Sequence, residues 1–402
     1  MTARRLTLSR SLKAAMNYPK LAGPVPRLLV LESRYWLDTA CANAARRLGW
    51  DVECVPVVAE GTLPREAVAR LLRTLIEFRP DFLLSVNLGG MDVGGMFGGL
   101  FEDLGLPFVA WFVDDPRTII MDRSCYATSR SLALTWERAY EPYLKSVGFP
   151  VVEYMPLAVD RSLFDAGPAE TWTLPCTFVG NSMTAPAAQA WRKAAENTEL
   201  ADALKTALDT GRVTRETFAE GLAAILPEPL LSRLDAEFRM RAELALFTEA
   251  TRRLRQCFIQ ALPGDAVCVF GDDGWDDIAQ WRGGPVNYER DLAAVYRCSE
   301  INLNVTSMQM ASAVNQRVFD CPAAGGFLLT DAQSSLMDLF DPDSEIVCYH
   351  SLDEAAALIR EYRARPAKRK NIVQRARARV FNEHTYEHRL IDLEALVRAH
   401  FA

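Results

Sequence analysis

The 402-residue chain lacks several features that would fix its class at once. It has no uninterrupted run of the ~18 apolar residues that a membrane helix needs, so no integral membrane contact is expected. Histidine is scarce: only His350, His384, His388 and His400 occur. His384 and His388 stand four apart, but no HExxH pattern or evident third ligand accompanies them, and no metal is expected. The 9 cysteines form no CxxC pair and read as reduced thiols rather than a disulfide framework. Basic residues (45) are outnumbered by acidic ones (52), and a net charge of −7 is a poor match to nucleic acid. Segment 1–20 is basic but lacks the apolar stretch of a secretion signal, so a cytoplasmic location is expected. No GxGxxG follows the first apolar run, where Ser33-Arg34-Tyr35 stands, and no GxxxxGK[ST] occurs. That counts against NAD enzymes and P-loop NTPases.

What is present is an alternation of short apolar runs and amphipathic helices. Hydrophobic residues make up 50% and charged residues 24%, enough for two cores at this length. Runs at 27–31, 52–58, 82–86, 108–113, 132–134 and 151–154 read as strands, separated by helical spacing at 38–48 and 64–78. Continuous apolar strands of this kind belong to a parallel sheet covered on both faces. A Pro/Gly-rich segment at 165–175 reads as a linker. A second alternation then begins with Thr177-Phe178-Val179-Gly180 and resumes at 266–270, 301–305, 327–330 and 345–349. Between its first two strands, 185–260 is almost wholly helical in composition. Ser351-Leu352-Asp353-Glu354 is a capping box opening a helix to about Arg363, Pro366 suits the first turn of the next, and a last helix covers 386–400. The expected architecture is α/β, with two Rossmann-like domains at 1–170 and 171–384 and a helical insertion at 185–260 in the second. Ligands of such sheets sit beyond the C-terminal strand ends.

Those ends carry the candidate residues. The glycine-rich loop after 82–86 offers Asn87 and Asp92 to a ligand, unless it is merely a flexible connection. Asp114 and Asp115 close the 108–113 strand, and one could act as general base toward a hydroxyl. Asp115 before Pro116 is equally suited to capping a helix. After Asn304 and Thr306, a helix expected to begin near Ser312 or Ala313 would point its N-terminus at a diphosphate, with Arg317 adding a charged bond. Asp320, on the same face, could hold a ribose diol, or the two could form an ordinary surface salt bridge. Gly271, within Phe270–Trp275, borders either a nucleotide or a turn. Asp341-Pro342-Asp343 reads as a turn, and the basic stretch 368–379 as a solvated helix face.

In order along the chain, Val286–Glu289, Ile301–Asn304, Asn315–Asp320, Gly325–Asp331, Glu345–Tyr349 and Glu383–Arg389 resemble the bacterial group 1 glycosyltransferases described as spore-maturation-protein-like, and Trp111–Arg117 resembles the N-terminal domain that often precedes them. The resemblance implies the GT-B fold with a cleft between two Rossmann-like domains, and a final helix, 385–402, returning to the first. It implies transfer of a sugar from a nucleoside-diphosphate sugar to an acceptor hydroxyl, on a surface glycan or a protein such as flagellin, with no cofactor and no obligatory metal. Donor contacts fall on Gly180, Asn181, Gly271, Tyr288, Asn304, Thr306, Asn315 and Asp320, with Arg317 on the diphosphate. Acceptor contacts fall on Asn87 and Asp92, with Asp114 or Asp115 as base. Ser312 stands where related enzymes carry the first of two acids, which leaves the stereochemistry open. A nucleotide-sugar epimerase on the same scaffold and a non-catalytic nucleotide-sugar or glycan-binding subunit are the alternatives.

Overall fold

The computed structural model describes residues 7–32, 35–56, 65–121, 123–165, 173–262 and 267–402. Ser33 and Arg34, the expected strand positions 57–58 and 266, Pro64 and most of the expected linker lie outside these. The chain forms two compact units: Met1–Pro156 together with Tyr386–Ala402, and Leu157–Thr385.

The first unit contains β1 (Arg27–Leu31), β2 (Asp51–Val55), β3 (Phe82–Val86), β4 (Phe108–Phe112), β5 (Ser131–Thr135) and β6 (Val151–Tyr154). All pairings are parallel, in the order β2-β1-β3-β4-β5-β6. Every residue of β3, β4 and β5 is buried, as strands covered on both faces must be. The helix Tyr386–Phe401 belongs to this unit: the Tyr386 ring stands edge-on to Trp111 at 6.1 Å and to Trp36 at 5.9 Å. Arg398 ties the far end of that helix to the carbonyls of Leu21 and Gly23.

The second unit contains β7 (Thr177–Val179), β8 (Cys268–Phe270), β9 (Trp281–Gly284), β10 (Asn302–Leu303), β11 (Leu328–Asp331) and β12 (Val347–Tyr349), parallel in the order β12-β11-β10-β7-β8-β9. Six helices from Thr184–Ala194 to Ala236–Ala261 lie between β7 and β8. They bury a core of their own around Leu200, Leu204, Phe218, Ile225 and Leu246, which makes the insertion a self-supporting layer. The units divide at Pro156–Leu157, ahead of the Pro/Gly-rich segment. Val159 bridges Thr385, and Asp160 caps a short helix whose Phe164 meets the Tyr288 ring at 5.7 Å.

Three elements differ from expectation, each for a visible reason. Strand β9 has the sequence WRGG; it is an edge strand with alternating exposure, so no apolar run announces it. The helix Met96–Asp103 contains two glycines and follows directly on the glycine-rich loop. Packing overrides propensity there, because a Cβ on Gly98 would meet the Cys125 carbonyl at 3.3 Å. The basic stretch is not simply a solvated face. Arg369 is buried and donates to the carbonyls of Tyr362 and Arg363, while Arg377 donates to Ala323 and Asp165, and Arg379 to Glu345 and Glu383.

Gly95 shows how tightly the first unit is closed. It caps the Met96–Asp103 helix at φ +70°, and a Cβ there would lie 2.5 Å from the Cys125 carbonyl oxygen. Gly95→Ala is expected to destabilise the protein by at least ~2 kcal/mol, because strain and clash add. Urea denaturation of the variant checks this; an unchanged midpoint would contradict the packing described.

Candidate functional site

In the second unit the strand order reverses between β7 and β10, and the crevice beyond their C-terminal ends is where ligands of open parallel sheets bind. Strand β7 runs out into Gly180-Asn181-Ser182, and β10 into Asn304-Val305-Thr306. Arg317 bridges the two ends, donating to the Val179 carbonyl and to Asn304 Oδ1. Asn315 Nδ2 donates to the same Asn304 oxygen at 2.8 Å, Asn304 Nδ2 donates to Thr330 Oγ1 at 2.9 Å, and the Tyr349 hydroxyl donates to the Asn304 carbonyl at 2.6 Å. The guanidinium carbon of Arg317 lies 5.4 Å from the Phe178 ring centroid, a cation–π contact that fixes its plane.

A second arginine meets this point from the insertion. Arg255 of the Ala236–Ala261 helix donates to the Asn181 carbonyl at 2.7 Å. Burial, and next the charge of Arg317, lower its pKa to about 10, so Arg255 remains a cation at neutral pH. The Nε of each is buried without a hydrogen-bond partner. Two like charges with unsatisfied donors, in a partly buried place, are costly by themselves and become favourable when an anion joins them.

The flanks are built to hold this pair still. Ser182 donates through its backbone N–H and hydroxyl to Asp272, at 2.6 and 2.8 Å, and the Trp275 indole donates to the Gly180 carbonyl at 2.9 Å. Gly271 must be glycine, since a Cβ would lie 2.3 Å from that carbonyl. On the other flank Asp331 accepts from the Thr306 N–H and hydroxyl, at 3.0 and 2.8 Å. Arg215 donates to Asp331 at 2.5 Å and to the Thr306 carbonyl at 2.6 Å.

Thus Gly180, Asn181, Gly271, Asn304, Thr306, Asn315 and Arg317 gather at one strand-end crevice. The helix expected to open near Ser312 or Ala313 begins only at Arg317 and ends at Ala323, because 307–316 is irregular chain engaged in side-chain bonds. The charge aimed at the crevice therefore comes from arginine side chains rather than from a helix end at 312. Asp320 is placed differently. It is 1% exposed, and its two oxygens accept from the Tyr288 hydroxyl at 2.9 Å and from Gln316 Nε2 at 2.8 Å. Arg317 turns to Asn304 and Val179 rather than forming a surface salt bridge with it. Both Asp320 oxygens thus already accept a hydrogen bond from within the unit.

In the first unit the order reverses between β1 and β3, and Asn87 stands at the end of β3. Its backbone is left-handed (φ +49°), its Oδ1 accepts from the Val113 N–H at 2.9 Å, and its Nδ2 donates to Asp114 Oδ2 at 2.8 Å. Tyr35 bonds the same pair; burial, and then Asp114, raise its pKa. The neighbouring carboxylates are committed elsewhere. Asp115 caps the helix Pro116–Ile120 through the Arg117 N–H and is ion-paired to Arg117 Nη2 at 2.6 Å. Asp92 accepts from the N–H groups of Met96 and Phe97, at 2.9 and 2.8 Å, holding the start of its helix. Of the acidic candidates here, only Asp114 belongs to the strand-end cluster. Asp341 and Asp343 form a turn closed by Ser344, and His384 lies buried against Phe319 and Phe340.

Arg255, Arg215 and Tyr35 were not singled out in the sequence, and Asp272 entered only within the segment Phe270–Trp275. Arg255 lies in the run Arg252-Arg253-Leu254-Arg255, where nothing separates it from its surface neighbours. Asp331 carried a usable signal, a charge closing an apolar strand, like Asp114.

Two parallel six-stranded α/β units define the GT-B class of glycosyltransferase folds. Sucrose-phosphate synthase from Thermosynechococcus elongatus has this fold, with TM-score 0.51 at 13% identity over 93% of this chain and 98% of that one. Anabaena Alr3699/HepE in complex with UDP and glucose matches with TM-score 0.51 at 11% identity over 92% and 99%. T4 phage BGT in complex with UDP and Mn2+ matches with TM-score 0.51 at 9% identity over 92% and 99%. Within the chain, residues 251–395 match the family model described as glycosyl transferase-like, a stretch that begins beside Arg255 and contains Arg317. Among curated proteins none matches the sequence.

Burial raises the Asp320 pKa to about 8, against the bonds from Gln316 and Tyr288 that favour its anion. An acid whose folded pKa exceeds its unfolded value destabilises the fold as pH rises between the two, because only the unfolded chain then releases the proton. Stability is expected to fall between about pH 4 and pH 8 by up to ~1.4 kcal/mol per pH unit from this group. Asp320→Asn, which stays neutral, should flatten that slope; urea denaturation at pH 5, 6 and 7 measures it.

Proposed function

We propose that the protein is a glycosyltransferase that moves a sugar from a nucleoside-diphosphate sugar to an acceptor hydroxyl. The observation that carries this reading is the Arg255–Arg317 pair, two cations with unsatisfied donors at the strand-order reversal of the second sheet. A diphosphate supplies the charge and acceptor oxygens such a pair lacks. The glycosyl transferase-like match covers both arginines, and two of the structures sharing the fold are complexes with UDP. In transfer, negative charge grows on the leaving diphosphate as the glycosidic bond breaks, and fixed guanidinium groups stabilise that charge without reorganising. We therefore read the reaction as independent of metal and cofactor, with Gly180, Asn181, Asn304, Thr306 and Asn315 around the donor. Asp320 steadies Tyr288 and Gln316 unless donor binding frees one of its oxygens for the ribose.

For the acceptor we assign Asp114 as the base that takes the hydroxyl proton, oriented by Asn87. Asp115 and Asp92 support its surroundings as helix caps. The acceptor class, a surface glycan or a protein such as flagellin, the membership of the spore-maturation-protein-like group and the cytoplasmic location rest on the sequence resemblance. No helix among the described residues is long and apolar enough to cross a membrane. Ser312, at the position of a family acid, favours one rival, a subunit that binds a nucleotide sugar without transferring it.

Arg255→Gln is expected to weaken UDP binding at least tenfold and to abolish the thermal shift that UDP gives the parent protein. Retained affinity would remove the arginine pair from the donor site. Asp114→Asn should lower kcat by ~100-fold or more at unchanged donor KM, measured as UDP release with acceptor present. Parent protein that binds UDP but never releases it from a donor with any acceptor would support the binding-subunit reading.

A further inference from the structure

The helical insertion contains a pocket that the donor site does not use. It measures about 600 Å³ and lies among the helices Thr184–Ala194, Thr198–Asp209 and Ala236–Ala261. That is within the ~300–1,000 Å³ typical of small-ligand sites. Half-buried Trp191, with Ala187 and Ala188, forms an apolar wall. Lys205, Arg252 and Arg253 face one carboxylate, Glu249, so the lining is cationic in sum. Glu249 is already held by Arg252 at 2.7 Å and Arg253 at 2.8 Å. Lys205 is exposed and has no hydrogen bond or ion pair among the described residues.

The pocket is wired to the donor loop. Arg252 Nη1 donates to Gln256 Oε1 at 2.6 Å, and Gln256 Nε2 donates to Thr184 Oγ1 at 3.2 Å. Thr184, itself a lining residue, accepts from the Ser182 hydroxyl, which in turn is shared with Asp272 at 2.8 Å. One helix thus presents Arg252 to the pocket and, three residues on, Arg255 to Asn181.

We propose that this pocket is a subsite for a carboxylate-bearing sugar of the acceptor, its apolar face against Trp191 and its carboxylate on Lys205. The proposal rests on the glycosyl-transfer reading and adds the acceptor's chemical class. An aromatic wall takes the C–H face of a pyranose, and a free ammonium selects for the acid. Because the relay ends at the donor loop, occupancy of the pocket changes donor affinity, and the donor reciprocally changes affinity for the sugar.

The test is calorimetry on the full chain with the trimer of galacturonic acid, the neutral trimer of galactose and UDP, each added to the parent protein and to Lys205→Glu. The acidic trimer is expected to bind at least tenfold more tightly than the neutral one, and Lys205→Glu should lose that preference while keeping its affinity for UDP. Equal affinity for the two trimers, or an acidic-trimer affinity unchanged in Lys205→Glu, overturns the proposal. UDP binding without acidic-trimer binding sinks this subsite and leaves the glycosyl-transfer reading standing. If UDP also fails to bind, that reading falls with it.

Discussion

The second unit is organised around one electrostatic problem, two arginines brought together where its sheet changes direction. Arg317 is held by β7 on one side and β10 on the other, so it cannot swing away without releasing the Val179 carbonyl and Asn304. Arg255 arrives from a different layer and is held by the Asn181 carbonyl. Each of these contacts is to a neutral oxygen, and neither guanidinium is ion-paired among the described residues. Two carboxylates, Asp272 and Asp331, act on Arg255 by charge but spend their oxygens on Ser182, Thr306 and Arg215. Diverting those acids to loop positions keeps them from neutralising the pair. A site with this balance favours an incoming dianion over any internal salt bridge.

The first unit solves the opposite problem. Its strand ends gather several carboxylates, and most of them have structural work. Asp92 and Asp115 each satisfy backbone donors at the start of a short helix, and Arg117 neutralises Asp115. Asp114, one residue earlier, has Asn87 and Tyr35 among its side-chain partners. Adjacency in sequence therefore says little about which of two acids caps a helix. The helix beginning at Pro116 decides it, since the residue before that proline is drawn into the cap.

This explains what was readable beforehand. Eleven of the twelve strands were placed from their apolar runs, although Asn302–Leu303 is far shorter than its run, while Trp281–Gly284 hid as an exposed edge. The insertion was visible from composition, and Arg317, Asn304, Asn315 and Thr306 from their place after a strand. Asp320 was visible as a residue, yet its burial against Tyr288 depends on a contact 32 positions away. Arg255 could not be found: of three arginines in four positions, Arg252 and Arg253 turn to Glu249, and only tertiary packing singles out the third.

The insertion then has a physical reason to exist beyond bulk. A two-layer α/β unit can offer only what its own loops reach, and here the loop after β8, Gly271-Asp272, carries an acid and no cation. The insertion supplies the missing guanidinium from a 26-residue helix anchored in an independent core. That one helix gives Arg252 and Arg253 to Glu249 and Arg255 to the Asn181 carbonyl. Under the proposed reading, the insertion's pocket and the donor diphosphate share this helix.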